Sequence, residues 1–94
     1  MNVRTNRPSI ARLSSDLCAV INRVRRAFGL HSMRAFAVRP SIRQAEQHID
    51  HTARQLLRGE ADLRDWHRAL CQYETSWMIE LETLRRSEGD RHAA

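Results

Sequence analysis

Residues 62–87 read DLRDWHRALCQYETSWMIELETLRRS, and this stretch decides the fold. At about 100° per residue, seven of its large apolar side chains fall within about 80° of arc on one helix face. They are Leu63, Trp66, Leu70, Tyr73, Trp77, Leu81 and Leu84. Asp62 is a suitable N-cap, because its carboxylate can accept a hydrogen bond from a free backbone amide. Gly89 follows the last apolar residue, as C-terminal capping glycines do. We therefore predict a helix over residues 62–87.

Two further segments show the same periodicity. Over residues 41–58 the apolar face comprises Ile42, Ala45, Ile49, Thr52, Ala53, Leu56 and Leu57. Over residues 9–28 it comprises Ile10, Leu13, Leu17, Val20, Ile21, Val24 and Phe28. Ser9 and Ser41 stand at the starts, Ser41 with Gln44 in a capping-box pattern, and Gly29 and Gly59 stand at the ends. Because no segment alternates with period two, the sequence predicts an all-α fold of three amphipathic helices at about 9–28, 41–58 and 62–87.

The connections predict the arrangement of these helices. Only residues 59–62 join the second helix to the third, so the two should form an antiparallel hairpin. Residues 29–40 are expected to be an irregular linker. We divide the chain into a basic N-terminal helix with its linker (residues 1–40) and a helical hairpin with a short disordered C-terminal tail (residues 41–94).

The third predicted helix is about 37 Å long and the second about 26 Å. The far end of the third helix therefore extends past the second, and its apolar side chains need another partner. Either the first helix or a second copy of the chain can supply it, and a core this small favours oligomers. We predict a homodimer, with Trp77 in the interface rather than in an internal core. The residues assigned to self-association are Trp66, Leu70, Tyr73, Trp77, Leu81 and Leu84.

The composition excludes several classes of protein. The 94 residues include three Gly, two Pro and two Cys, too few for a turn-rich β fold or a disulfide scaffold. The longest apolar run, Leu17–Ile21, has five residues and is far too short to span a bilayer or to form the core of a secretory signal. Cys18 and Cys71 are widely separated, so the default expectation is a cytoplasmic protein with reduced thiols.

The charge is divided unevenly along the chain. There are sixteen Arg and no Lys, and the net charge is +5. Residues 1–44 hold nine Arg and one acid, a net charge of +8, whereas residues 45–94 hold seven Arg and ten acids, a net charge of −3. A GC-rich genome can explain Arg in place of Lys, but not the missing acids. A basic, acid-poor start is also typical of mitochondrial transit peptides, but the capping pattern favours a structural helix.

Some side chains have the spacing of a metal or catalytic site. His48 and His51 are three residues apart, and His67 and Cys71 are four apart, which are spacings that can chelate a metal. However, His48 and His51 diverge by about 60° around their helix, so we expect no metal site. Cys71, His67 and Glu74 lie along one straight helix, which provides no cleft, so we expect neither an enzyme nor a cofactor.

The basic half is the main indication of function. Guanidinium groups pair with phosphates, and the candidate nucleic-acid-binding residues are Arg4, Arg7, Arg12, Arg23, Arg26, Arg34, Arg39 and Arg43. Helix-turn-helix and ribbon-helix-helix folds fit poorly, so we expect backbone contacts with little base reading. The expectation is a small accessory or regulatory protein that binds nucleic acid and self-associates. The alternative is a protein–protein adaptor or inhibitor that binds an acidic partner through its Arg face; an anionic membrane surface ranks third.

Overall fold

The computed structural model describes residues 9–93, with side chains as far as Gly89. These residues form four helices, α1 (Ile10–Phe28), α2 (Leu30–Phe36), α3 (Pro40–Leu57) and α4 (Leu63–Ala93). There is no strand in this part of the chain, so the all-α prediction is confirmed, although one helix was missed. Within residues 9–93, no helix combines the length and the apolar character that crossing a bilayer requires.

Helix α4 is the base on which α1 and α3 pack. Helices α3 and α4 form the predicted antiparallel hairpin, with Ser41 of α3 bonded to Glu80 of α4. Helix α1 runs in the same direction as α4, because Asp16 pairs with Trp66 and Arg23 pairs with Glu74. The helix that we left unplaced therefore docks on the hairpin and makes a third member of the bundle.

The core lies along the apolar face of α4. Its most deeply buried large side chains are Val24 from α1, Ile42 from α3, and Trp66 and Trp77 from α4. The rest of the buried apolar core comprises Leu13, Val20, Phe28, Ile49, Leu56, Ala69, Leu70, Tyr73 and Leu81. The three stripes read from the sequence supply nearly all of these residues. Amphipathic periodicity was therefore a sound guide to which face of each helix is buried.

Two of the three predicted N-caps are present. The Ser9 hydroxyl accepts a hydrogen bond from the Arg12 amide at 3.1 Å. Asp62 and Asp65 each accept a hydrogen bond from the other's backbone amide, at 3.0 and 3.1 Å. The Ser41 assignment was wrong, because α3 begins at Pro40 and its N-cap is Arg39. Proline is well suited to the first helical position, since it has no amide hydrogen that needs an acceptor there.

The glycines differ in their roles. Gly29 and Gly59 have φ values of 83° and 79°, positive angles that glycine adopts readily and that are common where helices end. The prediction for Gly89 was wrong, because this glycine lies inside α4, which continues to Ala93. The helix therefore runs through the segment that we assigned to a disordered tail.

The predicted irregular linker contains helix α2, a second difference from the sequence-based layout. Met33, Phe36 and Ala37 of this segment pack against the core. Their i, i+3 and i+4 spacing is helical, but two large side chains in seven residues are a weak periodic signal. The centroids of the Phe36 and Phe28 rings lie 5.7 Å apart, so α2 folds back over the end of α1.

Candidate functional site

The apolar stripe assigned to self-association forms the internal core in the structure. Trp66 and Trp77 are 1% and 2% exposed, and of the six residues only Leu84 is half-buried rather than buried. Trp77 is enclosed because the Phe28 ring packs edge to face on it, with centroids 5.3 Å apart. The assignment of Trp77 to an interface therefore needs correction. A homodimer stays a prediction, but it would have to use other residues.

Part of the Arg-rich half holds the fold together. Arg23 donates two hydrogen bonds, from Nε and a terminal nitrogen, to the two carboxylate oxygens of Glu74, each at 2.9 Å. This pairing holds the pKa of Glu74 below its usual value and raises that of Arg23. A guanidinium committed in this geometry joins α1 to α4 and is not free for phosphate.

Two other candidate arginines also have partners within the chain. Arg39 lies over the Phe36 ring, 4.6 Å from its centroid, and its Nε is 3.8 Å from a Glu80 oxygen. Arg12 is 3.9 Å from Asp16, one helical turn along α1. Asp16 in turn accepts the indole N–H of Trp66 at 3.0 Å. These contacts favour a structural role for both arginines.

The remaining candidates are exposed. Arg26, Arg34 and Arg43 have no carboxylate of residues 9–89 within 4.0 Å. Arg25, which we did not select, is equally exposed, and its only recorded polar partner among these residues is Asn22. It could have been found from its position in the last turn of α1, which is acid-free. Arg4 and Arg7 lie outside the described residues.

These four arginines belong to the end of the bundle where α1 finishes and α3 begins, level with the middle of α4. Between Asp16 and Glu46 the sequence has no acid, and this stretch forms the rest of α1, all of α2 and the start of α3. The Phe28–Phe36 contact and the Arg39–Phe36 contact hold these three pieces together. We call Arg25, Arg26, Arg34 and Arg43 the basic end.

A groove separates α1 from α3 on the part of the bundle between the basic end and the hairpin turn. Its volume is about 380 Å³, and its floor is formed by Trp66 and Tyr73 of α4. Leu13, Leu17 and Ile21 line the α1 wall, and Ile49, Ala53 and Leu57 line the α3 wall. Burial raises the pKa of Tyr73. Ile10, also in the lining, is 68% exposed, and Leu57 is 36% exposed, so both apolar walls extend into solvent.

The charged lining of this groove is acidic. Glu46 and Asp50 are its two charged residues, and both stand on α3. Asp50 pairs with Arg54 one turn later, at 3.1 Å, in an exposed contact. Glu46 has no basic partner within 4.0 Å among residues 9–89. The groove is therefore locally negative on a chain whose net charge is +5.

The histidines and cysteines diverge. His48 and Cys71 border one open depression between α3 and α4, whereas His67 faces α1 beside Asp16 and Arg23. His51 lines neither depression. No group of three potential ligands among His, Cys, Asp and Glu converges within the described residues. His67, Cys71 and Glu74 lie along the boundary with α1, where Arg23 occupies both oxygens of Glu74.

Comparisons with known proteins supply no further assignment. No family model matches the chain, and neither the curated proteins nor the solved structures give a significant match. The basic end and the groove are therefore the two features from which we infer a function.

Proposed function

We propose that the protein is a non-enzymatic accessory protein whose basic end binds the phosphate backbone of nucleic acid. The observation that supports this proposal is the concentration of exposed arginines at one end. The acid-free stretch between Asp16 and Glu46 supplies Arg25, Arg26, Arg34 and Arg43, and no carboxylate of residues 9–89 neutralises them. Guanidinium groups bind phosphate oxygens through two parallel N–H donors, which suits such a surface to a polyanion.

The shape of the basic end favours contact with the backbone over reading of bases. Helix α2 has only seven residues, and its partly buried Met33 and Phe36 pack inward against the core. Arg25 and Arg26 belong to the last turn of α1 and Arg43 to the first turns of α3, so no single long helix presents them. Recognition helices insert several neighbouring side chains into a groove, which this arrangement does not offer. We therefore propose weak sequence preference.

The number of free arginines sets the expected salt dependence. Each phosphate neutralised by an arginine contributes about 0.7 to 0.9 to the slope of log K against log salt concentration. If the four arginines of the basic end are the contacts, the slope should be about −3 to −4. Arg23 and Arg39 should contribute little to this slope, because they are already paired with Glu74 and Glu80.

The test is a binding series with the full chain. Labelled duplex and single-stranded DNA and RNA of about 20 nucleotides would be titrated across salt concentrations and followed by anisotropy. The variant carries Arg25→Gln, Arg26→Gln, Arg34→Gln and Arg43→Gln. The matched control changes charge equally at the exposed arginines near the hairpin turn, with Arg54→Gln, Arg58→Gln, Arg64→Gln and Arg68→Gln.

At low salt, the affinity of the first variant for nucleic acid should fall by about tenfold or more, whereas the control should retain most of its affinity. Equal losses in the two variants would mean that only net charge matters, and no binding by the unchanged chain would also refute the proposal. Point substitutions are needed because deletion of residues 1–32 removes Leu13, Val20, Val24 and Phe28 from the core.

The adaptor alternative has support of its own. The α1–α3 groove is apolar and open, as a binding site for another protein would be. The two activities are compatible, because none of the four arginines of the basic end is among the residues that line the groove. Measurement of mass in solution tests the predicted homodimer independently of both.

A further inference from the structure

We propose that the groove between α1 and α3 binds an amphipathic helix of a partner protein that carries basic residues beside its apolar face. This proposal does not depend on nucleic-acid binding. The groove forms because α1 and α3 both pack on α4, while the space between them is left open above Trp66 and Tyr73. Apolar grooves between two helices are common sites for a third, amphipathic one.

The length of the groove matches a short helix. From Ile10 to Ile21 the α1 wall spans twelve residues, or about 17 Å at the rise of an α-helix. That distance corresponds to about three turns of an occupant, which would present apolar residues at i, i+3, i+4 and i+7. The exposed side chains of Ile10 and Leu57 would then be covered by the occupant rather than by water.

The charges in the lining select the occupant. Glu46 and Asp50 stand side by side along α3, and their carboxylates border an otherwise apolar surface. An occupant with Arg or Lys next to its apolar face gains Glu46 as a partner and can share Asp50 with Arg54, whereas an acidic helix is repelled. Like charges also disfavour a second copy, since two grooves meeting across a twofold axis would bring four carboxylates into one apolar interface.

The probe for this proposal is a synthetic helical peptide of about fourteen residues with leucine at i, i+3, i+4 and i+7 and arginines beside them. A second peptide has glutamate in place of the arginines, and a third has the same composition with its leucines out of register. Binding to the full chain would be followed by peptide anisotropy and by tryptophan fluorescence, since Trp66 lies in the groove floor. Only the first peptide is expected to bind tightly.

Two pairs of variants locate the binding. Ser14→Leu fills the groove and should weaken binding about tenfold, whereas Ser15→Leu, an exposed position outside the lining, should leave it unchanged. Glu46→Gln with Asp50→Asn should weaken binding of the arginine peptide about five- to tenfold. Glu82→Gln with Glu88→Gln changes the net charge equally, away from the groove, and serves as the control.

Several results would overturn the proposal. Equal binding of the arginine and glutamate peptides would show that Glu46 and Asp50 select nothing. Equal effects of Ser14→Leu and Ser15→Leu would show that the peptide binds elsewhere. No binding of the arginine peptide at all would show that the groove is not a binding site. A dimer broken by Ser14→Leu alone would make the occupant a second copy. The basic-end variant distinguishes the two proposals, because it should lose nucleic acid and keep the peptide.

Discussion

The Phe28 ring packs edge to face on Trp77, with ring centroids 5.3 Å apart, and thereby joins the end of α1 to the middle of α4. Tyr73 also packs edge to face on the same indole, with ring centroids 6.5 Å apart. Offset and edge-to-face contacts of this kind add to the free energy gained by burying the rings. This cluster encloses Trp77 within the single chain.

We expect Trp77→Ala to be among the most damaging single substitutions. Truncation of a large buried aromatic costs about 3–5 kcal/mol, which is most of the stability of a domain of this size. Trp77→Phe keeps an aromatic ring beside Phe28 and should lose much less. Urea unfolding followed by circular dichroism would measure both, with Ile79→Ala, at a 61% exposed residue, as the near-neutral control. Comparable losses at the two positions would contradict the assignment of Trp77 to the core.

The hydrogen bond from Trp66 to Asp16 can be tested by changing the acceptor alone. Asp16→Ala leaves the indole N–H without its partner and should destabilise the fold by about 1–2 kcal/mol. Asp16→Asn keeps a carbonyl oxygen at the same place and should lose less. Denaturant unfolding of the two variants gives the comparison. If Asp16→Asn were as damaging as Asp16→Ala, the charge pairing with Arg12 would be the more important contact.

The lowered pKa values of the Glu74 and Asp62 carboxyl groups predict that the fold loses stability in acid. Hydrogen bonds from Arg23 lower the pKa of Glu74, and a hydrogen bond from the Asp65 amide lowers the pKa of Asp62, each below its usual value. A carboxyl group with a lower pKa in the folded state stabilises the fold above its unfolded pKa. That contribution disappears as the pH falls through the folded value.

Thermal unfolding between pH 7 and pH 3 would therefore show a plateau above about pH 5 and a decline below it. Glu74→Gln should flatten the decline, and Arg23→Gln should flatten it similarly, because the two residues form one pair. High salt should reduce the effect, since both side chains are partly exposed. A decline that is identical in all three proteins would show that the pair contributes nothing to it.

Two glycines predict opposite effects of the same substitution. Gly29 has φ 83° and ψ 152°, a backbone conformation that is almost restricted to glycine, so Gly29→Ala should cost about 1–3 kcal/mol. Gly89 lies inside α4 with open space around its α-carbon, so Gly89→Ala should stabilise by about 0.5–1 kcal/mol. Melting temperatures of the two variants would move in opposite directions. A loss at Gly89 would favour the capping role that the sequence suggested for it.

Local periodicity was enough to predict most of the fold. The stripes of α1, α3 and α4 repeat over three or more turns, and a linker as short as residues 59–62 permits only an antiparallel hairpin. Helix α2 was missed because only Met33, Phe36 and the adjoining Ala37 face the core. So few apolar residues are a weak sign of helical periodicity. The end of α4 was misplaced because a glycine after an apolar stripe usually ends a helix, and Gly89 does not.

The candidate sites were less predictable, because they depend on which helices become neighbours. The charge division of the sequence identified the basic half, but not that Glu74 and Glu80 would hold Arg23 and Arg39. The groove was not foreseen at all. Its two walls come from α1 and α3, which are far apart in sequence, and its floor from α4, so no single-helix pattern contains it.

The position of α4 in the sequence also constrains how the chain folds during synthesis. Helices α1 and α3 bury their apolar faces chiefly on α4, which lies after both of them. Until residues 63–84 have been translated, Val20, Val24 and Ile42 lack Trp66 and Trp77, the two tryptophans of the core. Earlier segments of the nascent chain must therefore remain as loose, partly helical polypeptide that is open to chaperones and proteases, and the bundle can form only once α4 has emerged.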